Sequence, residues 1–185
     1  GYVFIGEHWY RGRTLVVPTS GGITAVNYVP LESYLYSVVG AEMPTSWSME
    51  ALKSQAVAAR SYALFHRQTG ANSVFDMGDT TAWQVYGGLE KEAPSTRAAV
   101  DATKGQVLTY QGQIINSVFH SCAGGYTENV EDVWSSPLPY LRGVFSPDRD
   151  LPACRWNPIS FTASELSQRL SYDGTISSIS VKRHP

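Results

Sequence analysis

Ala41-Glu42-Met43-Pro44 stands between two helical patterns, and the reading of that junction decides the fold. On its N-terminal side Pro30 opens a run in which Leu31, Tyr34, Leu35, Val38 and Val39 fall on one helical face. Gly40 is expected to end this first helix, and Pro44 to push Met43 out of the helical region. On the far side, residues 49–68 read as a long helix with Ser46 or Ser48 as its cap. Its alanines at 51, 56, 58, 59 and 63 let neighbouring backbones come close, which puts this helix at the centre of the fold. Glu42 therefore lies at a corner where two rigid elements meet, a place suited to hold one proton-transferring group. A carboxylate that merely caps a helix or pairs with an arginine would occupy the same corner.

Outward from this junction, residues 1–30 read as short strands. Thr14-Leu15-Val16-Val17 and residues 23–29 are β-branched runs, with turn signals at residues 10–13 and breakers from Pro18 to Gly22. Residues 70–96 lack periodicity and read as a long functional loop, including Gln84-Val85-Tyr86-Gly87-Gly88. A helix is expected over residues 96–103 with Gly105 as its terminator. A hairpin follows, with strands 107–110 and 114–119 around Gln111-Gly112. The second strand leads into His120-Ser121-Cys122-Ala123-Gly124-Gly125-Tyr126-Thr127, where small residues mark a close backbone approach. A short helix capped by Thr162 or Ser164 and a closing strand over residues 176–181 complete the reading. The expected fold class is α+β: small antiparallel sheets around a central Ala-rich helix, with an active-site groove near the helix start. It is read as one domain, with a strand-rich part over 1–30, a core over 31–150 and a C-terminal extension over 151–185.

The 185 residues carry a net charge of −2 and only 16% charged side chains, which disfavours nucleic acid or an anionic bilayer as the main partner. Aromatic residues reach 12%, including eleven tyrosines and five tryptophans, a supply that suits sugar-like ligands as well as a core. No apolar run has membrane-spanning length. Gly1-Tyr2-Val3-Phe4-Ile5 lacks a basic leader and a long apolar core, so any targeting or anchoring segment is expected upstream.

Polar residues in apolar surroundings are the candidate chemistry. Gln55 and Tyr62 share one stripe of the long helix with His66, while Arg60 lies well round from Gln55 and could neutralise a carboxylate or fix a loop. A serine hydrolase is disfavoured, because His120 and Ser121 are adjacent on a strand and point to opposite faces. Cys122 and Cys154 allow one disulfide or two thiols. With His120 they make three metal ligands and lack an obvious fourth. Two-carboxylate glycoside hydrolysis would need a partner for Glu42, and Asp76, Asp79, Glu128, Glu131 and Asp132 are all available. A second route needs one carboxylate only. If the sugar's own 6-hydroxyl attacks the anomeric carbon, a single protonated glutamate can serve the leaving oxygen and then the attacking one.

The run from Val29 through Leu35 to Ala41-Glu42-Met43-Pro44 resembles the domain of stage II sporulation protein D, shared with amidase-enhancer proteins. So do residues 50–62, Gln84-Val85-Tyr86-Gly87-Gly88, Phe119-His120-Ser121, residues 124–128, Glu131-Asp132-Val133-Trp134 and Pro139-Tyr140-Leu141-Arg142. The resemblance covers about residues 14–150. It implies a peptidoglycan lytic transglycosylase that cleaves between N-acetylmuramic acid and N-acetylglucosamine, leaves a 1,6-anhydro end and prefers glycan already stripped of stem peptides. Glu42 matches the family's catalytic glutamate. Gln55, Arg60, Tyr62, Gln84, Tyr86, Ser121, Gly124, Gly125 and Thr127 form the candidate substrate-binding set. Some clostridial relatives carry zinc on cysteines and histidines; this chain lacks that cluster, so no metal or cofactor is carried over. Implied partners are peptidoglycan glycan strands and an N-acetylmuramoyl-L-alanine amidase, in the periplasm or cell wall. The competing implication is a non-catalytic glycan-binding activator of such an amidase.

Overall fold

A computed structural model describes residues 1–70, 72–134 and 136–180. The chain divides into two units, Gly1–His120 with Leu138–Leu141 and Ser121–Pro137 with Arg142–Pro185.

The first unit begins with two antiparallel ribbons, as the β-branched runs imply. Strand β1 (Tyr2–Ile5) pairs with β2 (His8–Arg11), and β3 (Arg13–Thr19) pairs with β4 (Gly22–Tyr28). Pro18, expected to break its run, stays in β3 opposite Ile23. A two-stranded ribbon has open edges, so a residue without an N–H is tolerated there.

Helix α1 (Leu31–Glu42) buries Tyr34, Leu35, Val38 and Val39, the face that the sequence pattern picks out. It does not stop at Gly40. That glycine lies inside the helix because the Lys91 carbonyl passes so close that a Cβ would stand 2.0 Å from its oxygen. The helix runs on to Glu42 and ends at Met43, which is extended (φ −146°, ψ 155°) ahead of Pro44.

Helix α2 (Met49–Thr69) is capped by Ser48, whose Oγ accepts the Ala51 N–H at 3.3 Å. Glu50 in its first turn and Arg67 in its last complement the helix dipole. Ala56, Ala59 and Ala63 are buried, and α1 and α3 (Pro94–Ala102) both pack on α2. The third helix starts two residues earlier than expected, since Pro94 is well placed at its first turn. Between α2 and α3 the described residues 72–88 form no regular element, and a 3-10 turn spans Leu89–Lys91.

The hairpin after α3 is shorter than the sequence reading. Strands β5 (Thr109–Tyr110) and β6 (Gln113–Ile114) flank a turn with positive φ at Gln111 and Gly112. After one more backbone bond, from Ile115 N–H to the Leu108 carbonyl at 3.2 Å, their continuations bond to α2. Leu108 N–H donates to Ser61 Oγ at 2.8 Å, and Ser117 Oγ donates to the Ala58 carbonyl at 2.7 Å.

The three helices are held by one buried cation. Arg60 is 1% exposed, so the expectation that it binds substrate is corrected by its position. Its Nε and Nη2 donate to the two oxygens of Glu32 at 3.0 and 2.7 Å, which ties α2 to α1. The same guanidinium donates to the carbonyls of Val100 in α3 and Gln106 beyond it, each at 3.2 Å.

The second unit contains a one-turn helix α4 (Val130–Val133) and a short helix α5 (Ala163–Arg169). Thr162 caps α5, with Glu165 completing the reciprocal box as anticipated. The closing strand is not formed over residues 176–180, and Val181 lies outside the described residues.

Replacing Arg60 with alanine leaves Glu32 half-enclosed without its partner and removes a donor from the Val100 and Gln106 carbonyls. Such a change is expected to lower unfolding free energy by about 3–5 kcal/mol. A urea titration followed by far-UV circular dichroism measures it, and an unchanged midpoint refutes this role for the ion pair.

Candidate functional site

Glu42 is the last residue of α1 and is half-buried. Its Oε1 accepts the backbone N–H of Val85, 43 positions away in sequence, at 2.8 Å. Among the described residues no arginine or lysine forms an ion pair with it. The bland reading of a corner carboxylate tied to an arginine therefore does not hold, and Oε2 is left without a hydrogen-bond partner among the described residues.

The Val85 amide is held in place by its neighbours. Gln84 is fully buried; its Nε2 donates to the Ala59 carbonyl of α2 at 3.3 Å, and its Oε1 accepts from Tyr34 Oη at 3.1 Å. Tyr86 stacks between Tyr10 and Tyr34, with ring centroids 5.0 and 4.8 Å away, and donates to Asn27 Oδ1 at 2.8 Å. Gln84 and Tyr86, expected to touch substrate, are instead the bolts that fix this loop to α1, α2 and β4. What the segment presents to Glu42 is its backbone.

Tyr62 is half-buried on α2 and senses the same carboxylate. Burial first, and the negative charge of Glu42 second, push its phenol above the usual tyrosine range. The Tyr34 phenol is raised for the same first reason, with contributions from Tyr86, Tyr62 and Glu42. Both phenols thus stay protonated as donors at neutral pH. Gln55 is half-buried two turns before Tyr62, and its Nε2 is out of water with no hydrogen-bond partner. A buried donor without an acceptor is what a group kept for a ligand would show.

Ser121, Gly124, Gly125 and Thr127 belong to the second unit. Ser121 and Gly124 are exposed, whereas Gly125 is buried. The Asp148 carboxylate gathers the N–H groups of Ala123 and of Gly125, the latter at 2.9 Å, and the Gly125 carbonyl accepts Ser146 N–H at 2.9 Å. Thr127 is bound internally too: its Oγ1 accepts Val144 N–H at 2.9 Å. Gly125 and Thr127 are thus occupied within their own unit. Cys122 and Cys154 form a disulfide. With both sulfurs joined, neither can act as a thiolate nucleophile or metal ligand in this state.

The sequence reading missed Val85, Tyr34 and Asp148. A backbone N–H has no side-chain signature, Tyr34 looked like one more core aromatic, and Asp148 sits in an irregular stretch with no periodic cue.

With the glutamate, its amide clamp and the central helix in place, comparison with known proteins assigns the class. A family model described as Stage II sporulation protein matches residues 19–110, which include Glu42, all of α2 and the Val85 clamp, and the chain belongs to that family. Stage II sporulation protein D of Bacillus subtilis is 37% identical over 164 residues, covering 79% of this chain and 47% of that protein. An amidase enhancer of the same organism is 46% identical over 122 residues, covering 66% of this chain and 16% of its own length. An uncharacterized protein of Brachyspira hyodysenteriae is 40% identical over 145 residues, covering 78% of this chain and 39% of that protein. The chain thus spans less than half the length of each of these relatives.

The Asp148 clamp makes the 121–127 loop acid-sensitive. Hydrogen bonds from the backbone, that of Ala123 first, hold its carboxyl below the usual aspartate range. A depressed carboxylate pKa contributes stability above the unfolded-state value of about 3.9, and that stability is lost as pH falls through the lower folded value. Amide hydrogen exchange at Ala123 and Gly125 is therefore expected to accelerate, relative to intrinsic rates, below about pH 4. In Asp148→Ala the acceleration is expected to be present already at neutral pH; protection equal to wild type would contradict the clamp.

Proposed function

We propose that this chain is a peptidoglycan lytic transglycosylase in which Glu42 is first the general acid and then the general base. The observation that carries the reading is the Glu42 carboxylate itself. It is half-buried, free of any arginine or lysine partner among the described residues, and oriented through one oxygen by Val85 N–H. An amide that fixes Oε1 leaves Oε2 as the oxygen to carry the proton.

The reaction balances with that single group. Oε2 gives its proton to the glycosidic oxygen as the bond from C1 of N-acetylmuramic acid to the N-acetylglucosamine oxygen breaks. The 6-hydroxyl of the same muramic acid then attacks C1, and its proton passes to the Glu42 carboxylate. A C1–O6 bond forms, no water is consumed, and Glu42 ends protonated as it began. Tyr62, raised in pKa and stacked beside the site, is suited to donate to a sugar oxygen, and Gln55 offers an unpaired amide N–H. Membership of the stage II sporulation protein family, whose span here includes both elements around Glu42, supports the assignment.

The glycan substrate places the work outside the cytoplasm. No helix among the described residues is long and apolar enough to cross a membrane. A relative named amidase enhancer supports a partnership with a cell-wall amidase, which would supply glycan without stem peptides.

Glu42→Gln keeps the shape and the bond from Val85 while removing the proton. It is expected to slow release of 1,6-anhydro ends from amidase-stripped glycan by about 10²–10⁴-fold with an unchanged thermal midpoint. Mass spectrometry of the released fragments reads the result, and wild-type rates in the variant refute the mechanism. Faster stem-peptide release by an added amidase, with no anhydro product from either form, would instead establish the non-catalytic activator.

A further inference from the structure

The α2 stripe that carries Gln55 and Tyr62 continues one turn to His66, a residue without a part in the mechanism above. The His66 ring lies against Tyr62, with centroids 4.2 Å apart, and meets the edge of Trp83 at 5.3 Å and 82°. The Asn116 side chain faces the imidazole. His66 Nε2 and Asn116 Oδ1 are both out of water with no hydrogen-bond partner of good geometry among the described residues, although Asn116 lies near enough to pull on the imidazole. Native interiors rarely leave such atoms unpaired, and two side by side mark a place made for something that brings its own donor and acceptor.

The chemistry of the pair specifies what that is. Burial pulls the His66 pKa below the usual histidine range, against a smaller upward pull from Asn116, so the ring is neutral at neutral pH. A neutral imidazole with its proton on Nε2 is a donor, and Asn116 Oδ1 is an acceptor. A carbonyl and an N–H presented together answer both, and that combination is a secondary amide. Trp83 is half-buried, and its indole packs so close to Gly78 that a Cβ there would stand 2.8 Å from the ring. That flat apolar surface suits the methyl group at the end of an acetamide. The site adjoins the catalytic carboxylate through Tyr62, which both stacks on His66 and senses Glu42. Gln55 lies on the same stripe about 16 Å away along the helix, at 1.5 Å per residue, so the two ends would meet different sugars of one strand.

We propose that His66, Asn116 and Trp83 form a subsite for the acetamido group of a sugar bound beside Glu42. Asn116 Oδ1 accepts the ligand N–H, His66 Nε2 donates to the ligand carbonyl, and Trp83 covers the methyl. The inference rests on the glycan-cleaving reading and extends it, because it makes N-acetylation a condition of binding rather than an incidental feature of the substrate.

The test is isothermal titration of the whole chain with two neutral β-1,4 pentasaccharides, one of N-acetylglucosamine and one of glucose, which has hydroxyls in place of acetamides. The wild-type protein is expected to bind the N-acetylated sugar more tightly. His66→Ala and Asn116→Ala are each expected to weaken that sugar by about 3–10-fold and to leave the glucose pentamer unchanged. His66→Gln, which keeps a side-chain N–H, is expected to recover most of the loss, and Asn116→Ala gives the same readout should His66→Ala not fold. Equal wild-type affinity for the two sugars, or variants that keep the preference intact, would overturn the subsite and leave His66 and Asn116 as an internal pair only. If either result accompanies normal release of anhydro ends, this proposal alone fails. If neither sugar binds and no anhydro product forms, the glycan-cleaving reading fails with it.

Discussion

The buried guanidinium of Arg60 is the constraint on which the first unit depends. It reaches Glu32 at the start of α1, the Val100 carbonyl near the end of α3, and the Gln106 carbonyl beyond it. A cation withdrawn from water is tolerated only when its hydrogen bonds are met, so the three helices cannot shift separately without exposing that cost. The alanine face of α2 brings α1 and α3 close enough for one side chain to span them.

This rigidity is transmitted to Glu42. Helix α1 is anchored by Glu32 at one end and delivers Glu42 at the other, two residues past the point where Gly40 admits the Lys91 carbonyl. From the opposite side, Gln84 bolts the 72–88 loop to α2 and to Tyr34, so the Val85 N–H meets the carboxylate in a set direction. A general acid is useful only if its proton points at one oxygen. Here a helix terminus fixes the position and a backbone amide fixes the rotation. The apparent excess of polar groups around the site sorts into two kinds: Gln84 and Tyr86 spend their hydrogen bonds inward, whereas Gln55, His66 and Asn116 keep an atom unspent.

Much of the architecture was legible in the chain. The span of α2 was read to within one residue, because Ser48, Glu50 and the alanine spacing are local signals that bind within a few positions. The apolar face of α1, the extended Met43 before Pro44, the turn at Gln111-Gly112 and the capping box of α5 were visible for the same reason. Two of the misreadings concern partners distant in sequence. Gly40 looked like a terminator because nothing nearby reveals the Lys91 carbonyl, and strands 107–110 and 114–119 looked longer because their competitors, Ser61 and Ala58, lie on α2.

The same division holds at the site. By itself the sequence determined that Glu42 stands at a helix boundary, that a long alanine-rich helix follows it, and that the chain resembles one family from end to end of that region, since these are matters of local pattern and order. Only the tertiary structure decided which polar residues could still make a bond. Arg60, Gln84 and Tyr86 are as polar in the sequence as Gln55 and Asn116, yet the first three are buried and the other two half-buried. The difference lies in whether a partner from another element arrives, and that depends on packing across 25 to 59 positions of chain, a distance over which sequence carries no periodic signal.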